Sequence, residues 1–290
     1  MKPDRTITTG TRICAVIGNP VAHSLSPALH NAAFNELCLD FVYVAFRVED
    51  LKNALAGMRA LENLRGMSVT IPHKIEAMNY LDEIAEADRA IGSINTIINE
   101  NGRLIGLGTD GPGALKAFVD AGVDLSGKNV LMLGAGGAAR AIAFTLALKT
   151  GLGKLTILDI NESMLQGLTA DLKAGTGVRI ESFSLSDSTI CRTMERADVI
   201  INCTPIGMHP KEGISLVPIE LFRTGQVVFD VVYTPLETKL LADARSCGLV
   251  VISGVEMFIN QAVLQFIQFT GMDAPVEVMR RVVMERLTAS

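Results

Sequence analysis

Runs of like charge and clusters of basic residues are both missing from this sequence. The 31 acidic and 26 basic side chains leave a formal net charge of −5, and the isoelectric point is about 5.5. A surface that binds nucleic acid neutralises phosphates with clustered Lys and Arg. The charge pattern therefore argues against DNA or RNA as a partner.

Cysteine is scarce and scattered. The five residues form no Cys-x-x-Cys pair and have no His nearby at the spacing of metal ligands; they are Cys14, Cys38, Cys191, Cys203 and Cys247. Such a set is typical of small buried side chains in a reducing compartment, not of a disulfide framework. We expect no metal site.

Long apolar runs are also missing. Nowhere do about 18 uncharged apolar residues follow one another, as a membrane span requires, and residues 1–12 lack the apolar core of a secretory signal. We therefore expect a cytoplasmic protein with no membrane partner. With 290 residues, of which 49% are hydrophobic, the chain is long enough for about two domains with cores of their own.

Short strands and helices alternate in the first part of the chain. The pattern predicts strands over 12–17, 41–47 and 67–71, and a hairpin of 94–98 with 103–107 joined by Asn101-Gly102. One helix is expected to begin with Ser26 as its N-cap and Pro27 at its first position. A second follows Asp50, with Leu61 on its apolar face, and a third begins at Lys74.

From Gly111 onward the alternation becomes regular. After a helix over 111–121, six β-branched, apolar runs alternate with helix-length segments or loops, at 129–134, 155–159, 178–183, 199–203, 227–232 and 249–252. Runs of this kind indicate strands buried on both faces, and hence a doubly wound parallel sheet in an α/β fold. Two helices, over 256–270 and 274–287, close the chain and are free to pack back onto the first domain.

A glycine motif follows the first of these six runs. Gly134, Gly136 and Ala139 fit the pattern G-x-G-x-x-A, and the residues expected to contact the dinucleotide here are Gly134, Gly136, Gly137, Ala138 and Ala139. Glycines permit the tight turn and the close approach of a pyrophosphate, and N–H groups at the start of a helix face the anion. The alternative is a glycine-rich turn that binds nothing.

Asp159 stands at the end of the next predicted strand. A carboxylate there accepts hydrogen bonds from ribose hydroxyls and repels a 2′-phosphate, and the following Ile160-Asn161-Glu162 contains no Arg to hold that phosphate. NAD is therefore the expected cofactor, with NADP as the alternative. Asp159 could also simply cap the following helix. A protein that binds a nicotinamide cofactor is expected to be an oxidoreductase. We expect a dinucleotide-binding Rossmann domain over 111–255 and a substrate-binding catalytic domain over 1–110 together with 256–290.

Four short stretches of the first domain are polar where a plain fold would not need polar residues: Ser24-Leu25-Ser26-Pro27, Ser68-Val69-Thr70-Ile71-Pro72-His73-Lys74, Ser93-Ile94-Asn95-Thr96 and Gly108-Thr109-Asp110-Gly111. At these residues the chain resembles the shikimate/quinate dehydrogenase family. The resemblance extends over nearly the whole length of the chain and includes Asn202-Cys203-Thr204-Pro205-Ile206-Gly207-Met208, Asp230-Val231-Val232-Tyr233-Thr234-Pro235, and Gly254-Val255-Glu256-Met257 leading to Gln261.

The resemblance implies roles for the matching positions. Lys74 and Asp110 would be the catalytic pair in the reversible oxidation of a ring hydroxyl of shikimate or quinate to the 3-dehydro ketone. Shikimate or quinate would thus be the small-molecule partner, bound by a monomer or a homodimer. The substrate would be bound by Ser24, Ser26, Thr70, Asn95, Tyr233 and Gln261. Thr204 and Gly254 would join the glycine motif and Asp159 in binding the cofactor.

Two departures from the family pattern stand out. Gly108 occupies a position where Asn usually precedes Thr-Asp, and Asp159-Ile160-Asn161 stands where NADP-specific members usually carry Asn-Arg-Thr. The second departure favours NAD and members that act on quinate, whereas Ser26, in place of a Thr, speaks against an exclusive preference for quinate.

Two other functions stay open on the sequence alone. The first is a non-catalytic, metabolite-sensing regulator built on the same fold; the presence of both Lys74 and Asp110 argues against it, because a regulator is free to lose them. The second is another two-domain dehydrogenase, such as one acting on folate one-carbon units, against which the Ser24–Pro27 and Tyr233–Pro235 motifs speak.

Overall fold

The computed structural model describes residues 6–289. Its contacts divide the chain into two compact units. The first unit is the chain up to Thr109 together with the chain from Gln261 onward, and the second unit is Asp110–Asn260. The assignment of a function to each unit stays a prediction at this point.

The first unit contains a mixed six-stranded sheet in the order β2-β1-β3-β5-β6-β4. Its elements are β1 (Arg12–Gly18), α1 (Ser26–Glu36), β2 (Phe41–Arg47), α2 (Leu51–Arg59), β3 (Leu64–Val69), β4 (Glu83–Ile84), α3 (Glu86–Ile91), β5 (Thr96–Glu100) and β6 (Arg103–Leu107). Strand β1 runs parallel to β2 and β3, and β5 is antiparallel to β3 and β6. The predicted hairpin is confirmed: Asn101 and Gly102 both have positive φ, at 54° and 86°, as a tight two-residue turn requires.

The second unit contains six parallel strands in the order β12-β11-β10-β7-β8-β9. Its elements are α4 (Asp110–Asp120), β7 (Asn129–Leu133), α5 (Gly137–Lys149), β8 (Lys154–Asp159), α6 (Glu162–Gly175), β9 (Arg179–Ser184), α7 (Asp187–Met194), β10 (Val199–Asn202), β11 (Val227–Asp230), α8 (Lys239–Ser246) and β12 (Val250–Ser253). The predicted doubly wound parallel sheet is thereby confirmed, with all six strands within two residues of their expected bounds.

Two helices close the chain, α9 (Gly254–Thr270) and α10 (Val276–Thr288), and the border between the units falls within α9. In the first unit, α10 packs on α1, and Arg65 Nε donates to the carbonyl of Phe269 at 3.0 Å. A Cβ on Gly66 would lie 2.7 Å from the Phe269 ring, so the glycine lets the end of α9, which carries Phe269, lie against β3. The predicted return of the closing helices to the first domain is confirmed.

Local predictions fail where turns are involved. Leu25 is the N-cap of α1 and Ser26 already lies inside the helix, so the predicted N-cap at Ser26 is wrong. Lys74 begins no α-helix: it lies in a turn that precedes a short 3₁₀ helix over Glu76–Tyr80. The side chain of Leu61 lies beyond the end of α2 and is 49% exposed. Asp50 does cap α2, accepting from the N–H of Asn53 at 3.0 Å.

Across residues 6–289, none of the helices has the length and apolar content needed to cross a membrane.

Candidate active site

Three polar side chains from distant parts of the sequence meet in the interior of the first unit. Asn95, Thr109 and Gln261 are each at most 8% exposed. Asn95 Nδ2 donates to Thr109 Oγ1 at 2.9 Å and to Gln261 Oε1 at 3.3 Å. Asn95 Oδ1 accepts from the Thr109 N–H at 2.7 Å. Asn95 and Gln261, two of the residues expected to bind ring hydroxyls, are thus joined directly, and Thr109 binds the Asn95 amide from another side.

A second buried chain of hydrogen bonds supports this cluster. Tyr43 Oη donates to Ser68 Oγ at 2.6 Å, and Ser68 donates to Gln265 Oε1 at 2.7 Å. Gln265 Nε2 then donates to the carbonyl of Asn95 at 3.2 Å. Because buried polar groups need partners, this chain fixes the backbone of Asn95. Burial raises the pKa of Tyr43, so its hydroxyl keeps its proton and stays a donor.

Ser24 and Ser26 lie at the start of α1. Ser24 Oγ accepts from the N–H of Ser26 at 3.3 Å, so Ser24, not Ser26, supplies the side chain that binds this end of the helix. A helix N-terminus attracts anions through its N–H groups and its dipole. Two serine hydroxyls at that position suit a carboxylate.

Thr70 and Lys74 follow β3 on one turn. The N–H of Thr70 donates to the carbonyl of Ile17 at 2.9 Å, and the carbonyl of Lys74 accepts from Ile94 at 3.0 Å. A Cβ on Gly18 would lie 2.3 Å from Thr70 Cγ2, so glycine at the end of β1 leaves room for this threonine. His73 Nε2 lies 2.8 Å from the carbonyl of Val48 and anchors the same turn.

Gly108 has a steric explanation in the structure. A Cβ at this position would lie 2.6 Å from Oδ1 of Asp88, which is closer than real Cβ atoms approach their neighbours. Asp88 belongs to α3 and is only 9% exposed. The carboxylate of Asp88 therefore fills the space that a side chain at position 108 would need.

In the second unit, the glycine motif forms the turn from β7 into α5. Gly134 has φ of 106°, and a Cβ on it would lie 3.0 Å from the backbone of Cys203. Gly136 is the N-cap of α5 and makes no side-chain cap; an added Cβ there would meet nothing within 4 Å. The open space above Gly136 and the helix start fit a pyrophosphate group.

Asp159 ends β8 beside this turn. Its Oδ2 accepts from the N–H of Ala135 at 2.6 Å, and its Oδ1 accepts from the N–H of Asn161 at 2.7 Å. Helix α6 is capped by Asn161, whose side chain accepts from Met164 at 3.1 Å. The alternative interpretation of Asp159 as the helix cap is therefore wrong. Two carboxylate oxygens with one bond each keep acceptor capacity for ribose hydroxyls.

Asp110 is the first residue of α4 and is 6% exposed. The next residue, Gly111, lets α4 approach α5, because a Cβ there would lie 2.0 Å from Thr145 Oγ1. Burial, together with the charges of Asp230 and Asp110, raises the pKa of the Cys203 thiol. The carboxylate of Asp110 thus lies at the carboxyl end of the parallel sheet, where open α/β sheets bind their ligands.

The remaining predicted residues of the second unit follow the ends of three strands, two of them on loops and one at the start of a helix. Thr204 follows β10, and its Oγ1 donates to Asn202 Oδ1 at 2.7 Å. Tyr233 follows β11 and stacks on Phe258, with ring centroids 4.6 Å apart; burial raises the pKa of Tyr233 to about 12. Gly254 begins α9, where a Cβ would lie 2.4 Å from the carbonyl of Val231.

Sequence reasoning missed the residues that act behind these side chains. They are Tyr43, Ser68, Asp88, Thr109 and Gln265 in the first unit, and Asn202, Asp230 and Thr238 in the second. The motifs that carry the family resemblance contain four of these residues, Ser68, Thr109, Asn202 and Asp230, so the sequence did indicate that their surroundings are functional. Gln265 lies one helical turn after Gln261, and this spacing points to the site only once Gln261 is known to face it.

An α/β unit with buried amides and hydroxyls, together with a Rossmann unit whose glycine turn and acidic residue fit a dinucleotide, defines a class of nucleotide-dependent oxidoreductases. Known proteins narrow that class. The model of the shikimate dehydrogenase substrate binding domain matches residues 16–97, and the model of the shikimate 5′-dehydrogenase C-terminal domain matches residues 254–284.

Individual proteins agree with these matches. The chain is 44% identical over 273 residues to a shikimate dehydrogenase (NADP+) from Symbiobacterium thermophilum, covering 93% of this chain and 92% of that protein. Shikimate 5-dehydrogenase from Listeria monocytogenes, solved with shikimate and NAD, has a TM-score of 0.88 and 34% identity, covering 98% and 100% of the two chains. Quinate dehydrogenase from Corynebacterium glutamicum, solved with NAD, has a TM-score of 0.87 and 28% identity, covering 95% and 99%.

This chain belongs to the shikimate dehydrogenase family and is an oxidoreductase. The comparisons give no support to the alternative of a non-catalytic regulator.

Proposed function

We propose that this protein catalyses the reversible oxidation of a ring hydroxyl of shikimate to the 3-dehydro ketone, with a nicotinamide dinucleotide as the hydride carrier. The observation that carries the proposal is the buried set of Asn95, Thr109 and Gln261. Amides that are fixed by buried hydrogen bonds are suited to recognise hydroxyl groups of defined position.

Substrate binding is assigned to six residues. Ser24 and Ser26, at the start of α1, are assigned to the carboxylate of the substrate, as is Tyr233. Thr70, Asn95 and Gln261 bind the ring hydroxyls. The dipole of α1 favours the negative charge. Hydrogen bonds to Thr109 and Gln261 hold the side-chain amide of Asn95 at a fixed orientation.

Lys74 and Asp110 are the proposed catalytic pair. When bound, the nicotinamide accepts or returns the hydride. Lys74 exchanges a proton with the reacting hydroxyl, because an alcohol that becomes a ketone must lose its proton. Asp110 orients the ammonium of Lys74 and accepts from a neighbouring hydroxyl. Each residue also has a purely structural interpretation: Lys74 as a solvated lysine on a turn, and Asp110 as a carboxylate at the start of a helix. Mutation distinguishes these interpretations from the catalytic roles.

The cofactor is assigned to the second unit, in contact with Gly134, Gly136, Gly137, Ala138, Ala139, Asp159, Thr204 and Gly254. NAD is the preferred dinucleotide in this proposal, supported by the carboxylate of Asp159, which repels a 2′-phosphate. Relatives named for NADP+ make NADP the alternative. Quinate is the second candidate substrate, favoured by the likeness to a quinate dehydrogenase solved with NAD.

The proposal is tested by initial rates with shikimate and with quinate, each with NAD+ and with NADP+, followed by the absorbance of the reduced nicotinamide. We expect the highest kcat/KM for shikimate with NAD+. A higher value for quinate would change the substrate, and a higher value with NADP+ would change the cofactor. No reduction in any of the four combinations would refute the proposed function.

A further inference from the structure

Asp230 is a fully buried carboxylate that none of the proposed chemical steps uses. It is the last residue of β11, paired in register with Asn202 at the end of β10, and its exposure is 0%. Burial raises its pKa to about 6. Burying a carboxylate costs free energy unless its oxygens accept hydrogen bonds. Asp230 accepts from three donors, and these donors show which segments of the chain it positions.

Two of the three donors belong to residues at the carboxyl ends of neighbouring strands: Asn202 ends β10, and Val232 follows β11. Asn202 Nδ2 donates to Asp230 Oδ1 at 2.9 Å, and the N–H of Val232 donates to the same oxygen at 3.0 Å. Asn202 in turn binds the loop that follows it: its Oδ1 accepts from the N–H of Thr204 at 3.1 Å, and its Nδ2 donates to the carbonyl of Ile206 at 3.1 Å. One carboxylate is thereby joined to the Thr204 loop.

The third donor belongs to the start of α8. Thr238 Oγ1 donates to Asp230 Oδ2 at 2.6 Å, while the same hydroxyl accepts from the N–H of Leu241 as the N-cap of the helix. Thr238 is 1% exposed. The segment between Val232 and Thr238, which carries Tyr233, is therefore bound to Asp230 at both of its ends.

We propose that Asp230 is a positioning residue that holds the Thr204 loop and the Tyr233 loop in one arrangement, so that cofactor affinity and substrate affinity depend on the same buried carboxylate. The inference rests on the proposed function, which assigns Thr204 to the cofactor and Tyr233 to the substrate. Asp230 contacts neither ligand in this account. It acts through Asn202, the N–H of Val232 and Thr238.

The test compares Asp230→Asn with the wild-type protein in three measurements: the Kd for the dinucleotide by fluorescence titration, the KM and kcat for shikimate, and the thermal unfolding midpoint. An amide cannot accept from all three donors, since one of its two polar atoms is a donor. We expect the Kd and the KM each to rise about tenfold, as for the loss of one or two buried hydrogen bonds, with a smaller change in kcat.

Asp198→Asn is the matched control, because Asp198 lies at the opposite end of β10 and its Oδ2 accepts from the N–H of Asn129 at 2.8 Å. We expect that variant to unfold at a lower temperature with wild-type Kd and KM. Thr238→Val should shift Kd and KM in the same direction as Asp230→Asn, and Thr238→Ser, which keeps the hydroxyl, should restore them.

The result that overturns the inference is a folded Asp230→Asn protein with wild-type Kd and KM. If Asp230→Asn does not fold, equal Kd and KM in Thr238→Val and Thr238→Ser overturn it instead. A wild-type protein that binds the dinucleotide but does not oxidise shikimate refutes the proposed function, while the Kd measurements still test the link from Asp230 to the Thr204 loop.

Discussion

The backbone N–H of Ala135, in the glycine turn, donates a hydrogen bond of 2.6 Å to Oδ2 of Asp159. This bond joins the turn at the end of β7 to the end of the neighbouring β8. With the second bond from Asn161, it fixes the carboxylate beside the start of α5. The Asp159 side chain is thus held in one position next to the glycine turn by two backbone N–H groups.

The fixed charge of Asp159 leads to a prediction about cofactor choice. We expect kcat/KM to be higher with NAD+ than with NADP+, and Asp159→Ser to shift the ratio toward NADP+ by about tenfold or more because the repulsion of the 2′-phosphate is lost. Glu162→Gln removes a nearby exposed carboxylate and should leave the ratio unchanged. Better use of NADP+ by the wild-type protein would contradict the role given to Asp159.

Lys74 is expected to carry the proton transfer. Lys74→Ala should lower kcat by roughly two or more orders of magnitude, the usual range for loss of a general acid or base, and should leave the Kd of the dinucleotide nearly unchanged. Lys52→Ala, on the exposed face of α2, is the control for loss of a positive charge. Turnover at the wild-type rate in Lys74→Ala would remove this residue from the mechanism.

The contact between Gly108 and Asp88 predicts that the two positions are coupled. Gly108→Asn should lower kcat/KM for shikimate by about tenfold or more, because an overpacked interior costs about 1–3 kcal/mol and Thr109 is the next residue. Asp88→Ala in the same chain should recover part of that loss. Gly177→Asn is the control, since a Cβ there would meet nothing within 4 Å. Strictly additive effects in the double variant would show that the positions are independent.

His30 predicts how stability depends on pH. Its ring is fully buried and stacks on Tyr43, with ring centroids 4.4 Å apart. Burial lowers its pKa to about 3, which Gln265 offsets only in part. Below pH 6.5, the ordinary pKa of histidine, the unfolded chain binds a proton at His30 that the folded protein does not bind. The free energy of unfolding therefore decreases as the pH falls below that value.

Urea unfolding at about pH 7 and about pH 5 measures this effect. The wild-type free energy of unfolding should lose about 2 kcal/mol to His30 over that interval. His30→Phe, which keeps an aromatic ring in the stack, should lack that part of the pH dependence. An identical pH dependence in the two proteins would show that His30 is protonated without cost in the folded state.

The sequence predicted most of what depends on local periodicity and on short-range motifs. The parallel strands were recognisable because most of them are short apolar runs, and β7, β8, β10 and β11 are almost wholly buried. The Asn101-Gly102 hairpin was recognisable because both residues accept positive φ. The predicted helix at Lys74 failed because the residues after Pro72 form irregular turns. The N-cap at Ser26 failed because the helix begins one residue earlier than expected, with Leu25 as its N-cap and Ser26 already helical.

The candidate site was predictable as a set of side chains but not as a network. Motif residues such as Asn95 and Gln261 could be named from the sequence, whereas their common partner Thr109 required coordinates. The explanation of Gly108 likewise needed the position of Asp88, which lies in a segment for which the sequence predicted no element. Contacts between distant residues leave no periodic signal in the chain, and only the fold reveals them.

The most direct measurement uses shikimate that carries deuterium on the carbon bearing the oxidised hydroxyl. After reaction with NAD+, the reduced cofactor and the product are analysed by mass spectrometry. We expect one deuterium in the reduced nicotinamide, an equal amount of 3-dehydroshikimate without it, and a rate of transfer that is lower by roughly two or more orders of magnitude in Lys74→Ala. Reduced cofactor without deuterium, or no reduced cofactor at all, would contradict direct hydride transfer from shikimate.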